Sequence, residues 1–258
     1  MPYQISASSR RPTSTATARH CVLALCVVVA ACTSAASFPP AAPNTGQRHS
    51  PSEQSFEPAD LMKSDIDVAA EVHLRESLAS ARLVTEKLYR RNPREWRKGN
   101  SASMDAALDR AFDPRHEFRF AELNNVRGTD AILLALQPEY AGDRVFAFGV
   151  GLASMIFLAY NGKTEFYLTD SLDPQKLYNS SRNVEIAAWK LANARDAHGS
   201  LLLMSNEINA DARNLSFERE LGKMIAYQDA MAQIAAQRSN RTIRRIFQTI
   251  ATSVFLPI

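Results

Sequence analysis

The chain has 258 residues, 46% of them hydrophobic, with 30 Lys and Arg against 27 Asp and Glu for a net charge of +3. The excess is local, because residues 1–31 hold three arginines and no acid and leave 27 basic against 27 acidic residues beyond them. A body without net charge gives no electrostatic argument for a nucleic-acid partner, and its length fits one domain.

Arg10, Arg11, Arg19 and His20 precede an apolar run over residues 21–31. That run is too short to remain a membrane span, which needs roughly 20 apolar residues, and it reads as an export signal. It ends Val29-Ala30-Ala31-Cys32, which resembles the lipobox of bacterial lipoproteins: an aliphatic residue, two small residues and the cysteine that becomes the new N-terminus. The resemblance covers the leader alone. It implies removal of residues 1–31, diacylglycerol on the Cys32 sulfur, and usually a third acyl chain on the new amino group, which together make stable anchoring. Thr33 rather than Asp after the lipidated cysteine implies, by the proteobacterial sorting rule, an outer-membrane anchor facing the periplasm. Cys21 and Cys26 fall in the leader, so the mature chain would have neither a disulfide nor a free thiol.

Residues 32–59 form the next section, rich in Ser and Ala, with Pro39, Pro40, Pro43, Pro51 and Pro58 and only Phe38 and Phe56 as bulky side chains. Such a composition cannot offset the entropy of ordering, so a flexible linker is expected. The remaining residues, 60–258, carry the pattern of a folded body.

A first helix is expected over residues 61–91, where Met62, Ile66, Ala69, Ala70, His73, Ser77, Ala81, Val84 and Leu88 share one face and Asn92-Pro93 ends it. The middle of that face is small, which predicts the close approach of a second helix. Ser101 or Ser103 should cap a short helix through Phe112, stopped by Asp113-Pro114. Residues 116–126 read as irregular or as a short strand through Phe118 and Phe120. Gly128-Thr129 opens another helix, closed by Pro138.

Residues 145–160 are uncharged, with Ala147, Gly149, Gly151 and Ala153 among them. A buried core helix is the reading we favour, with a membrane-contacting helix and a pair of strands as the alternatives. The strand alternative rests on Asn161-Gly162, the dipeptide that favours a tight hairpin, but the length of the run favours a helix–turn–helix. Asp173-Pro174 marks a helix start running to about Arg195, with a break expected at Asn179-Ser180-Ser181. Asn214 or Ser216 caps the next helix, which buries Phe217, Leu221, Met224, Met231 and Ala235 and is interrupted at Ser239-Asn240. A last amphipathic helix from about Arg241 should bury Ile243, Ile246, Phe247, Ile250 and Val254 before Pro257. No repeat of fixed period is present.

The residues show no Gly-rich phosphate loop, no paired Cys or His metal spacing and no nucleophile elbow. Four weaker groups remain. Glu71, His73 and Glu76 lie together on the first helix, but a metal site needs three or four ligands, and His73 reads as a hydrogen-bonded packing residue. Asp170 and Asp173, near Lys176, could line a polar pocket, although helix capping accounts for most of that pattern. Trp96 and Arg97 stand among Arg90, Arg91, Arg94 and Lys98 and offer a membrane or partner contact. Arg241, Arg244 and Arg245, with Arg238, offer a second.

The sequence therefore predicts an all-α fold, a single compact bundle of about seven or eight helices behind a signal peptide and tether. No cofactor, metal or nucleic acid is expected, and the expected partners are the membrane, through Cys32, and an unidentified envelope protein. The function expected first is a non-enzymatic scaffold or assembly factor. The alternative is a module for a lipid or small apolar ligand, held in a slot between the helix at residues 145–160 and the first helix. A third reading is an enzyme acting on cell-wall material through Asp170 or Asp173.

Overall fold

Ser64 starts the first helix through a reciprocal cap: its hydroxyl accepts from the Asp67 backbone N–H, while an Asp67 carboxylate oxygen accepts from the Ser64 N–H at 2.8 Å. The computed structural model describes residues 62–99, 101–208, 213–214, 216–245 and 253–258. The leader, Cys32 and all of the linker lie outside those residues.

Helix α1 spans Asp65–Arg91, with Asp65 and Asp67 in its first turn and Arg90 and Arg91 in its last, as the helix dipole favours. It begins later than residue 61, so Met62 precedes the helix and is exposed rather than on the buried face. Asn92 closes it, donating from both its backbone and its side chain to the Leu88 carbonyl. Helix α2 spans Met104–Ala111 behind a Ser103 cap. The connection that follows contains two short 3₁₀ turns, Pro114–His116 and Ala121–Leu123. No strand forms through Phe118 and Phe120, because Glu117, Phe118, Asn124 and Asn125 all have positive φ and keep turning the chain while the two rings point inward.

Helix α3, Thr129–Ala135, starts from Gly128 at φ +62°. Helix α4 spans Arg144–Ala159 as one uninterrupted core helix with fourteen of its sixteen residues buried. A helix apolar on every side belongs inside a protein, and α4 packs against α1, α2, α3 and α5. Among the described residues no helix is long and apolar enough to cross a membrane.

Asn161 and Gly162, at φ +60° and +68°, end α4 instead of joining two strands. The Gly162 N–H reaches back to the Phe157 carbonyl at 2.9 Å, satisfying an orphan acceptor at the helix end. The segment beyond is neither strand nor the second arm of a helix–turn–helix. It is tied down by the Leu168 N–H to Met62 carbonyl bond, by the Phe166 N–H to Glu71 bond and by the Lys163–Asp170 ion pair.

Helix α5 spans Pro174–Asn193 behind an Asp173 cap and does not break at Asn179-Ser180-Ser181. Asn179 donates to the Pro257 carbonyl and Ser181 to the Ile225 carbonyl, so side chains that would compete with their own backbone find partners elsewhere. A two-residue antiparallel pairing, β1 Glu207–Ile208 with β2 Arg213–Asn214, precedes α6, Ser216–Ser239. Helix α6 packs across both α1 and α5.

Asn240, at φ +51°, ends α6, and residues 241–245 are not helical, so the expected final helix does not begin at Arg241. Ile243 packs on the core, but Val254 is 70% exposed rather than buried. Ile246, Phe247 and Ile250 lie outside the described residues. The chain is all-α, with six α-helices among the described residues against the seven or eight expected. An unbroken α5 and the non-helical residues 163–173 lower the count, and residues 246–252 of the expected last helix lie outside the described residues.

Candidate functional site

Near the N-terminal end of α1 and the C-terminal end of α6, small Ala70 and Ala235 leave the core incompletely filled. The result is a cleft of about 290 Å³, its wall completed by Ile66, Phe166, Leu172 and Met231. Leu168 lines it while remaining 50% exposed, between the floor and solvent.

Charged groups of this cleft are held in ion pairs. Arg238 pairs with Asp67 at 3.0 Å and donates to the Leu168 carbonyl at 3.3 Å. Burial pushes the Asp67 carboxyl up, but the Ser64 hydrogen bonds and the Arg238 guanidinium outweigh it and hold the carboxyl below its ordinary range. Asp170 accepts from Lys163 at 2.5 Å and from the Tyr167 N–H at 3.1 Å, and the Lys163 bond holds its carboxyl low as well. With its charges matched and its floor apolar, the cleft suits an apolar or amphipathic guest.

A second cleft of about 350 Å³ opens at the N-terminal end of α4, lined by Lys98, Arg110, Glu122, Tyr140 and Asp143 among others. Asp143 caps α4 by accepting from the Phe146 N–H at 2.9 Å, and its other oxygen accepts from the Tyr89 hydroxyl at 2.9 Å. Burial raises its carboxyl to about 6 and drives the Tyr89 hydroxyl upward too. Glu95 accepts from the Arg144 N–H and from Lys98, while Arg110 pairs with Glu122 and stacks 4.2 Å from the centre of Phe146. These bonds join α1, α2, α4 and the turns between them, which is a structural role. Sequence reading missed Asp143, Glu95 and Arg110, although an aspartate directly before a long uncharged helix is a capping signal.

Asp170 lines the first cleft, whereas Asp173 caps α5 through the Gln175 N–H and does not line it. Trp96 is half-buried on the turn after α1, with the exposed Arg97 stacked 5.0 Å from its ring. Arg241 and Arg245 line a separate groove with Arg182 and Asp229, and Arg244 exchanges two hydrogen bonds with Gln175 through its backbone. His73 packs against Tyr227 with ring centres 5.7 Å apart; its buried Nδ1 has no hydrogen-bond partner among the described residues, unlike the bonded ring expected, and burial lowers its pKa. Among the described residues no group of three His, Cys, Asp or Glu side chains is arranged to hold a metal ion.

The slot expected between α4 and α1 is filled, because Gly149 of α4 sits directly against Thr85 of α1. The open cleft lies instead beside α1 and α6. Comparison with protein-family models, with curated proteins and with solved structures finds no match to this chain.

Proposed function

We propose that this chain is a lipoprotein anchored through Cys32 in the outer membrane of a Gram-negative envelope, facing the periplasm, and that its body binds a small apolar ligand. The anchor rests on the lipobox resemblance at Val29-Ala30-Ala31-Cys32. The observation that carries the binding reading is the cleft beside Ala70 and Ala235, with an apolar floor and with Asp67, Arg238 and Asp170 already held in ion pairs. Its volume falls near the lower end of small-molecule sites, roughly 300 Å³.

Two measurements test this. Mass spectrometry of the purified protein should find an acylated Cys32 at the N-terminus, and Cys32→Ser should stop both processing and membrane partition. Protein isolated from its own envelope and then denatured should release an apolar compound, and an Ala235→Trp variant should release none. Equal release from both proteins sinks the binding reading.

A non-enzymatic scaffold is the second reading, supported by a groove of about 420 Å³ in which Leu133, Leu136, Pro138 and Trp189 present apolar surface. Leu133 is 41% exposed there. Site-specific cross-linking from position 133 in intact cells should yield one discrete envelope adduct, and a smear of unrelated products would end this reading.

A further inference from the structure

We infer that the cleft beside Ala70 and Ala235 takes a medium-length fatty acyl chain whose carbonyl end, acid or ester, accepts hydrogen bonds from Arg238. This rests on the binding reading above and names the ligand's chemistry.

The shape of the wall argues for a chain. Ile66 and Ala70 stand one turn apart on α1, and Met231 and Ala235 one turn apart on α6, so each helix contributes an apolar stripe about 6 Å long. The cleft's 290 Å³ is the space of about ten waters in the liquid, enough for a flexible chain of similar heavy-atom count.

The mouth argues for a head that accepts. A guanidinium has five N–H donors, and Arg238 engages Asp67 and the Leu168 carbonyl while its side chain stays 32% exposed. The nearby carboxylates are already engaged, Asp67 by Ser64 and Arg238, and Asp170 by Lys163 and the Tyr167 N–H. Arg238 therefore keeps donor capacity at the mouth, and a carbonyl or carboxylate oxygen matches it. Exposed Leu168 stands between floor and solvent, where it would cover the chain.

The test uses the full chain, freed of detergent in lipid nanodiscs, with displacement of a fluorescent fatty-acid analogue as the readout. Decanoic acid and monodecanoyl glycerol are both expected to displace it. Preference for the acid identifies free fatty acid as the source, preference for the ester a membrane acyl lipid, and either supports the assignment. Ala235→Met, which fills the floor, should weaken binding by tenfold or more with the unfolding temperature unchanged or raised. Ala70→Leu fills the same space from α1 and serves if the first variant fails to fold. Arg238→Gln, which keeps a donor for Asp67, should weaken binding about tenfold. Unchanged affinity in Arg238→Gln, or tighter binding of 1-naphthol than of decanoic acid, overturns the acyl assignment and leaves the cleft as a binding site. Unchanged affinity in both filling variants overturns the cleft itself.

Discussion

Gly149 on α4 and Thr85 on α1 touch so closely that a Cβ built on the glycine would lie 2.6 Å from the threonine Oγ1 and 2.7 Å from its Cγ2. This is where the central helix meets the first helix, and the absence of a side chain sets the spacing between them. Gly149→Ala should therefore cost about 1–3 kcal/mol in chemical denaturation, the usual range for overpacking. Adding Thr85→Ala should restore most of that loss, since only side-chain atoms stand in the way. A double variant as unstable as the single one would place the cause elsewhere.

Gly151, two residues on, faces α3, where the nearest atoms are the Ile132 Cγ1 at 2.6 Å, the Ile132 backbone nitrogen at 2.8 Å and the Gly128 carbonyl oxygen at 3.0 Å. Backbone cannot be trimmed. Gly151→Ala should be more destabilising than Gly149→Ala, and Ile132→Ala should deepen the loss by opening a cavity. Recovery of stability in that pair would contradict the packing described.

Asp143 gives the fold a pH dependence of defined sign. Its carboxyl sits at about 6 when folded, against 3.8 for the ordinary group, because burial disfavours the charge. A raised carboxyl holds its proton more tightly in the folded state, so its contribution is complete below about pH 4 and is lost as the pH rises through 6. A shift of that size corresponds to a difference on the order of 3 kcal/mol. Asp143→Asn still offers an oxygen to the Phe146 N–H and lets the Tyr89 hydroxyl accept from its amide. The variant should gain stability relative to the parent between pH 4 and pH 6 in parallel denaturant titrations. Two parallel curves would mean that Asp143 is not the titrating group.

Local signals carried much of the fold. Ser103, one of the two serines expected, caps α2, Asp173 caps α5 as expected, Gly128 opens α3, and the uncharged run is one helix. Each depends on residues within a turn of one another. What sequence reading missed depends on distant partners. Asn179 and Ser181 are helix breakers by habit, and their bonds to the Pro257 and Ile225 carbonyls draw their side chains away from their own backbone. Asn161-Gly162 supplies the same left-handed pair to a hairpin or a helix end, and the interior position of α4 decides between them. Of the cleft, Asp170 was legible as polar lining, but the apolar floor exists because Ala70 and Ala235 line one space, which no spacing along the chain reveals.

The same long-range logic marks Asn183 as a clamp. Buried on α5, it donates to the Leu256 carbonyl at 2.8 Å and accepts from the Leu256 N–H at 2.6 Å. Asn183→Ala would leave both backbone groups buried without partners, a cost of roughly 2–4 kcal/mol for the pair. Removing residues 253–258 should expose the same face of α5 and cause aggregation. A truncated chain that stays monomeric with unchanged unfolding would show that this segment is an appendage.

Arg144 presents an inversion of the usual charge rule, a cation in the first turn of α4 where the helix dipole favours an anion. Its side chain explains the position. The guanidinium reaches back to the end of α3 and donates to the carbonyls of Ala135 at 2.8 Å, Gln137 at 2.6 Å and Pro138 at 2.9 Å. Pro138 brings no N–H to the end of this run, and three carbonyls converging on one planar fork is a geometry that an ammonium cannot copy. Arg144→Lys, which keeps the charge, should therefore lose about 2 kcal/mol of stability. Hydrogen exchange should rise first at the C-terminal turn of α3 rather than throughout α4, because α4 is held on all sides by apolar packing while α3 is only seven residues long. Equal protection of the two helices in the lysine variant would show that charge alone, rather than the fork, holds α3 in place.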